Sequence, residues 1–389
     1  MLKLSTVEII CPDNEMLSGA LSSDFPKYIS DSLDRIGIEP LFITTVPSTY
    51  DDFKHALDVA LARVDTVITV TPQSLCSDIV SISDGEFGSH SDKIPLGKEI
   101  LHGAYACRDD LNNKLFVSVP PLDEAHFHLF SAYVIPFISD QTVFCYFTHI
   151  LRFFGVDKDI VDSEAKAVVE SVPGLSYSSY ESAGEVMVKI KSTRPVCTEA
   201  FGFAQYGLNL VKELPVSKYM YGCSYDCQSL EDALVKKLKS KKLTLSCAES
   251  CTGGLLSKAI TDVPGASSVF SGSVVSYTDE IKAGLLGVKN ETLQEFTAIS
   301  GEVALEMAKG VRLLTGTHIG ISVTGNAGPC ASCQKENGLV FIAIASESNS
   351  VILKLNLEGN RNEIRTLAMK HAFSQCLNFI DDMDILKNI

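Results

Sequence analysis

Two hydroxyls and a thiol fall on consecutive positions at Ser250, Cys251 and Thr252, and two glycines, Gly253 and Gly254, follow them directly. Upstream, residues 243–247 form a short apolar run of strand type. Downstream, Leu255, Leu256, Ala259 and Ile260 recur at helical spacing. A strand that becomes a helix within a few residues leaves backbone N–H groups unpaired at the helix start, where a carboxylate, phosphate or oxyanion can dock. The polar turn Glu249-Ser-Cys-Thr-Gly-Gly254 therefore offers nucleophilic or anion-binding chemistry. The plainer alternative is that Ser250 or Thr252 caps the helix, a position both residue types favour.

Two further junctions bear polar groups. Ser273-Val-Val-Ser-Tyr277 reads as a strand, and Thr278-Asp-Glu-Ile-Lys282 as the start of a helix with acids in its first turn, as the helix dipole favours. This puts Tyr277 at a strand end and Lys282 about one turn into a helix. Residues 318–324 form another apolar strand, which runs into Gly325-Asn-Ala-Gly-Pro329, and residues 338–345 form a further core strand. In a parallel sheet the three loops meet at one edge, bringing together Ser250 and Thr252, Tyr277 and Lys282, and Thr324, Gly325 and Gly328. Taken singly, Tyr277 also suits an interior aromatic with a satisfied hydroxyl, and Lys282 a solvated helix position.

The 389 residues are too many for one ordinary core and predict two or three domains. A hydrophobic share of 46% against 21% charged residues belongs to a globular chain, and a net charge of −15 argues against nucleic acid as a partner. No apolar stretch approaches the roughly 20 residues of a membrane span, and the N-terminus lacks a signal-peptide core, so the expectation is a cytoplasmic protein without a membrane partner. The 12 cysteines are scattered, often within apolar runs, and read as reduced core thiols. Cys330-Ala-Ser-Cys333 has zinc-knuckle spacing, but no second ligand pair follows it. His126, His128 and His149 have no ligand spacing either, so no metal site is expected.

Residues 1–140 alternate strand and helix patterns: strands at 6–10, 40–46 and 66–70, helices at 25–36 and 51–63. That order predicts a mainly parallel sheet covered on both faces, with ligands bound where the strands end. Residues 141–224 read as a small α+β unit with a linker, which includes an alternating strand at 185–191. Ser229 is a candidate N-cap, with Asp232 three residues on, for a helix ending near Lys242 that opens a third, α/β domain over residues 225–389.

Several motifs in order resemble the CinA family. Ala248-Glu-Ser-Cys-Thr-Gly-Gly254, Tyr277-Thr-Asp-Glu-Ile-Lys282, Val323-Thr-Gly-Asn-Ala-Gly-Pro329 and Gly359-Asn-Arg-Asn-Glu-Ile-Arg365 are similar to its C-terminal nicotinamide-nucleotide amidohydrolase domain, the nicotinamide mononucleotide (NMN) deamidase. The resemblance implies Ser250 as nucleophile, Lys282 as its base and Tyr277 as a hydroxyl that relays a proton or orients the lysine. It also implies Thr252, Gly253, Gly254, Thr324, Gly325, Ala327 and Gly328 as substrate-binding positions. A lysine can serve as a base only if its surroundings keep it neutral. Amides at 252–254 or 325–328 would hold the oxyanion, and other amides at the helix start the substrate phosphate. The implied substrate is a pyridine nucleotide, with no cofactor, and relatives suggest a homodimer.

Glu8-Ile-Ile-Cys-Pro-Asp-Asn-Glu-Met-Leu-Ser-Gly19 and Val119-Pro-Pro-Leu-Asp-Glu124 resemble the family's N-terminal molybdopterin-binding-like domain, and the 141–224 unit its small α+β middle domain. Val70-Thr-Pro-Gln-Ser-Leu stands where that domain has a glycine-rich turn followed by acids. Without those glycines the backbone cannot closely approach a phosphate, so a structural or dimerising role is expected rather than pyrophosphatase activity. In the third domain Asp279 replaces the usual Asn, Thr297 a usual Gly and Asn326 an apolar residue, and Cys330-Ala-Ser-Cys-Gln334 replaces a glycine-rich run.

Overall fold

The computed structural model describes residues 6–19, 24–36, 38, 40–72, 75, 93–95, 104–109, 112–140, 145–195, 197–223, 227, 229–329 and 336–387. Cys330, Cys333 and most of the loop following Val70 lie outside these. The chain divides into two compact units, one comprising residues 1–149, 167–177 and 189–211, the other residues 150–166, 178–188 and 212–389.

In the first unit, β1 (Val7–Pro12), α1 (Asn14–Ser18), α2 (Phe25–Arg35), β2 (Pro40–Val46), α3 (Tyr50–Arg63) and β3 (Thr66–Val70) follow in the expected order. With β4 (Lys93–Pro95), β5 (Tyr105–Asp109) and β6 (Lys114–Val119) they make a six-stranded sheet ordered β2-β1-β3-β6-β5-β4. The first four of these strands pair in parallel, and β5 and β4 run antiparallel. Strand β1 is buried along its whole length, Glu8 included. That carboxylate accepts both the Nε and an Nη of Arg63 at 2.9 and 2.6 Å, plus the Thr44 hydroxyl at 2.6 Å, which is what makes a charge tolerable there. A four-stranded sheet, β7 (Cys145–Phe154), β8 (Leu175–Ser182), β9 (Glu185–Arg194) and β10 (Met220–Cys223), is ordered β10-β7-β9-β8, with β10 antiparallel to β7.

The second unit carries the sheet that positions the Ser250 turn. Ser229 caps α4 (Leu230–Lys241) by accepting from the Asp232 N–H, as its spacing predicts. The sheet is ordered β12-β11-β13-β14-β15, with β11 (Leu245–Glu249) between β12 (Phe270–Val275) and β13 (Ile319–Gly325) and parallel to both. Strand β14 (Leu339–Ala345) returns antiparallel beside β13, and β15 (Ser350–Asn356) closes the far edge. Burial follows placement: every residue of the interior strand β11 is buried, whereas β15 alternates half-buried and exposed side chains as an edge strand should. Helix α5 (Gly301–Thr315) lies hard on β13, because a Cβ added at Gly320 would stand 2.1 Å from the Ala308 carbonyl oxygen.

Thr297 closes α6 (Asn290–Phe296) at φ 67° and ψ 164°, a region open essentially to glycine alone, and its hydroxyl is buried without a partner. This is the position where the resembled family has glycine. Thr297→Gly should stabilise the second unit by about 1 kcal/mol, the relief of strain exceeding the added chain entropy of glycine. A higher midpoint in denaturant unfolding at unchanged slope is the expected result, and an unchanged or lower one would show that the loop is unstrained.

Candidate functional site

Strand β11 extends two residues further than its apolar run suggests, so Glu249 is its last residue and is wholly buried rather than part of the polar turn. Its carboxylate accepts the N–H groups of Gly254 (2.9 Å), Leu256 (3.0 Å) and Ser257 (3.0 Å), the Ser273 hydroxyl (3.2 Å) and, in a very short bond, the Ser257 hydroxyl. Sequence reasoning placed a ligand anion on these amides, and the structure corrects this: the protein supplies its own anion. The donors at 253–255 are also spent, since Gly253 N–H donates to the Ser250 carbonyl and Leu255 N–H to the Thr252 carbonyl. Among the described residues, the N–H groups of Cys251 and Thr252 donate to no other residue, and in the 325–328 loop the N–H of Ala327 is likewise uncommitted.

Neither Ser250 nor Thr252 caps the following helix, α7 (Leu255–Thr261), whose N-cap is Gly254 in the left-handed region without a side-chain bond. Gly253 is left-handed as well, at φ 58°, and the two glycines let the chain double back over the Glu249 carboxylate. The Ser250 N–H donates to the Val323 carbonyl, extending the β11–β13 ladder, and its hydroxyl has no protein partner among the described residues. Thr252 is fully buried, and its Oγ1 has no partner among the described residues. An uncommitted buried hydroxyl beside an uncommitted serine is costly in a finished core and ordinary in a binding site.

The neighbouring strands bring the other two loops to the same level. Glu249 pairs with Val275 on one side and with Val323 on the other, so Ser250, Ser276 and Thr324 follow in register, and the Ser276 N–H donates to the Glu249 carbonyl at 2.8 Å. Tyr277 comes next and is 62% exposed, which removes the interior-aromatic alternative. Lys282 lies on α8 (Asp279–Leu286) and is 1% exposed, which removes the solvated-helix alternative. Burial is what a neutral amine requires, whereas the exposed Asp279 carboxylate, 3.7 Å from Nζ, works in the opposite sense. The Thr324 hydroxyl donates to the Ala298 carbonyl at 2.7 Å, which leaves it to meet a ligand as an acceptor.

Two arginines missed as functional residues secure the loops. Arg365, on α9 (Arg361–Lys387), donates from Nη2 to the Thr252 carbonyl (2.6 Å) and from Nε to the Cys251 carbonyl (3.2 Å); Arg361 donates to the Gly328 carbonyl (2.6 Å). Asn326, another departure from the family pattern, is buried and accepts the Gly328 N–H at 3.0 Å, shaping the loop that holds Gly325, Ala327 and Gly328. The motif at 359–365 was visible in the sequence, but nothing in its spacing says that the Arg365 guanidinium reaches a turn more than a hundred residues away.

In the first unit, a cavity of about 340 Å³ at the strand ends is lined by Cys11, Asp13, Asn14, Glu15 and Ser48 among others, with no basic side chain among the described residues. Asp13 accepts the N–H groups of Glu15 and Met16, so this helix start is also filled from within. No group of residues suited to a metal ion occurs among the described residues, and no described helix is long and apolar enough to cross a membrane.

Cys251 sits beside Ser250 but is not an alternative nucleophile. Burial pushes its thiol up to about 12, with the Arg365 and Arg361 charges offsetting only part of that. Native protein at pH 8 should therefore leave Cys251 unmodified by iodoacetamide, with alkylation appearing only on unfolding. Mass mapping of the Cys251 peptide decides this, and rapid native labelling would mean that the thiol is exposed and ionised.

The comparisons with known proteins agree with these motifs. A family model for the CinA C-terminal domain matches residues 227–380. A relative from Caldanaerobacter subterraneus subsp. tengcongensis, which carries the name competence-damage inducible protein, is 30% identical over 414 residues, covering 97% of this chain and 99% of its own. One of the same name from Bacillus thuringiensis is 31% identical over 405 residues, covering 94% and 97%. Among solved structures, the competence/damage inducible protein CihA from Agrobacterium tumefaciens is 34% identical and covers 39% of this chain and 93% of its own, with a TM-score of 0.38. Identity at this level over nearly the whole length places the chain in the CinA family of competence-damage inducible proteins.

Proposed function

We propose that this protein is an amidohydrolase that deamidates nicotinamide mononucleotide to nicotinate mononucleotide and ammonia through an ester on Ser250. The observation that carries the reading is a serine hydroxyl without a protein partner among the described residues at the end of the interior strand β11, flanked by parallel strands whose next residues lead to Tyr277 and the buried Lys282. In this reading the Lys282 amine takes the Ser250 proton as Oγ attacks the carboxamide carbon, and the N–H groups of Cys251 and Thr252 stabilise the resulting oxyanion. Protonation of the amide nitrogen by the lysine, assisted by the Tyr277 hydroxyl, breaks the C–N bond and releases ammonia. Water then attacks the ester, giving its proton back through the same lysine, and the carboxylate product leaves with Ser250 restored.

Thr252 Oγ1 is free to orient the substrate, and the guanidiniums of Arg361 and Arg365 supply positive charge at the turn for a phosphate. The exposed Tyr277, Ile281 and Leu285 give an apolar surface that a homodimer would cover.

Ser250→Ala should reduce ammonia release from the mononucleotide by roughly 10⁴-fold or more with an unchanged unfolding midpoint, and Lys282→Met by a similar factor. Tyr277→Phe should cost about 10²-fold or more, mostly in kcat, if it moves a proton. Coupled ammonia assays on the full chain read all three, and turnover retained by Ser250→Ala would overturn the assignment.

A further inference from the structure

A cavity of about 610 Å³ in the second unit is lined by none of the residues of the Ser250 turn, the Tyr277 loop or the 325–328 loop. One wall is α4, which contributes Lys236 and Lys237. Another is the middle of α9, which contributes His371, Gln375 and Asn378, and the segment before and within β10 contributes Lys218, Tyr219 and Tyr221. His371 is six residues beyond Arg365, or about 9 Å along the helix, so a ligand here is separate from one at the turn.

The wall chemistry is unlike the rest of the chain. Three lysines face one carboxylate, Asp381, in a protein whose net charge is −15. Lys237 pairs with Asp381 and Lys236 with Asp232, whereas Lys218 makes no ion pair among the described residues and holds its ammonium 4.9 Å from the Tyr219 ring centre. Tyr221 is anchored by its hydroxyl to the Glu185 carboxylate, which Lys370 also holds, so that ring is fixed in the wall. Burial pushes His371 below the usual histidine range, leaving a neutral ring packed edge-on against Phe154, and Gln375 and Asn378 add neutral donors and acceptors. An unpaired cation, aromatic side chains and amide groups around a cavity within the usual 300–1,000 Å³ of ligand sites select a ring-bearing anion.

We propose that this cavity is a second ligand site, for a small anion carrying one aromatic ring and of nucleoside-monophosphate size, with Lys218 on the anionic group and Tyr219 against the ring. The site does not depend on the deamidase reading, and its test needs no turnover.

The chain has no tryptophan, so Tyr219→Trp places a single reporter in the cavity wall. Full-length reporter protein is titrated with AMP, adenosine and inorganic phosphate, and equilibrium dialysis of AMP against the wild-type chain checks that the new ring has not created the site. A saturable fluorescence change with AMP at a Kd below about 1 mM is expected, with adenosine and phosphate each roughly tenfold weaker or more. Lys218→Glu in the reporter background should weaken AMP by about tenfold or more at an unchanged unfolding midpoint. No response to AMP, equal response to adenosine or phosphate alone, AMP binding unaffected by Lys218→Glu, or no AMP bound by the wild-type chain would each overturn the proposal.

Discussion

The geometry of the candidate site depends on one buried carboxylate. Glu249 has no exposed surface, and a lone charge in that position would be prohibitively expensive, so the chain surrounds it with three backbone N–H groups and two hydroxyls. That requirement dictates the rest of the turn. The chain must curl back to deliver the amides of Gly254, Leu256 and Ser257, two consecutive left-handed residues are needed to make the curl, and glycine occupies both. What the carboxylate does not claim is what remains for a ligand: the amides of Cys251 and Thr252 and the hydroxyls of Ser250 and Thr252.

The turn is held from the opposite side by the last helix. Arg365 satisfies the carbonyls of Cys251 and Thr252, whose peptide planes therefore face their oxygens toward the guanidinium, and Arg361 does the same for Gly328. Two loops from different strands are thus fixed to one rigid helix, and the site is built from groups that need little rearrangement when charge develops on a bound amide. The middle of the same helix lines the 610 Å³ cavity, so its first turns and its middle serve different surfaces of the unit.

Much of this was legible in the sequence. Hydrophobic periodicity located the three parallel strands of the second unit and their loops, and the ordered motifs identified the family. The strand boundary at Glu249 was not legible, because a glutamate after Cys-Ala reads as polar turn, and only the register with Val275 and Val323 puts it inside the sheet. The bond from the Thr324 hydroxyl was not legible either: its partner, the Ala298 carbonyl, is a backbone atom in a distant loop and leaves no trace in residue types. Thr297 was visible as a departure from glycine, yet its strain follows only from the backbone angles. In the first unit, the absence of loop glycines after Val70 was read as loss of a phosphate site, and most of that loop lies outside the described residues.

The central claim is a covalent bond to one oxygen atom. Wild-type protein mixed with nicotinamide mononucleotide, quenched with acid within the first turnover and digested, should yield a Ser250 peptide heavier by the acyl mononucleotide, appearing before free product and absent when nicotinate mononucleotide replaces the substrate. Product formed with no acylated peptide at any quench time, or with the adduct on Cys251 or another residue, would contradict the account.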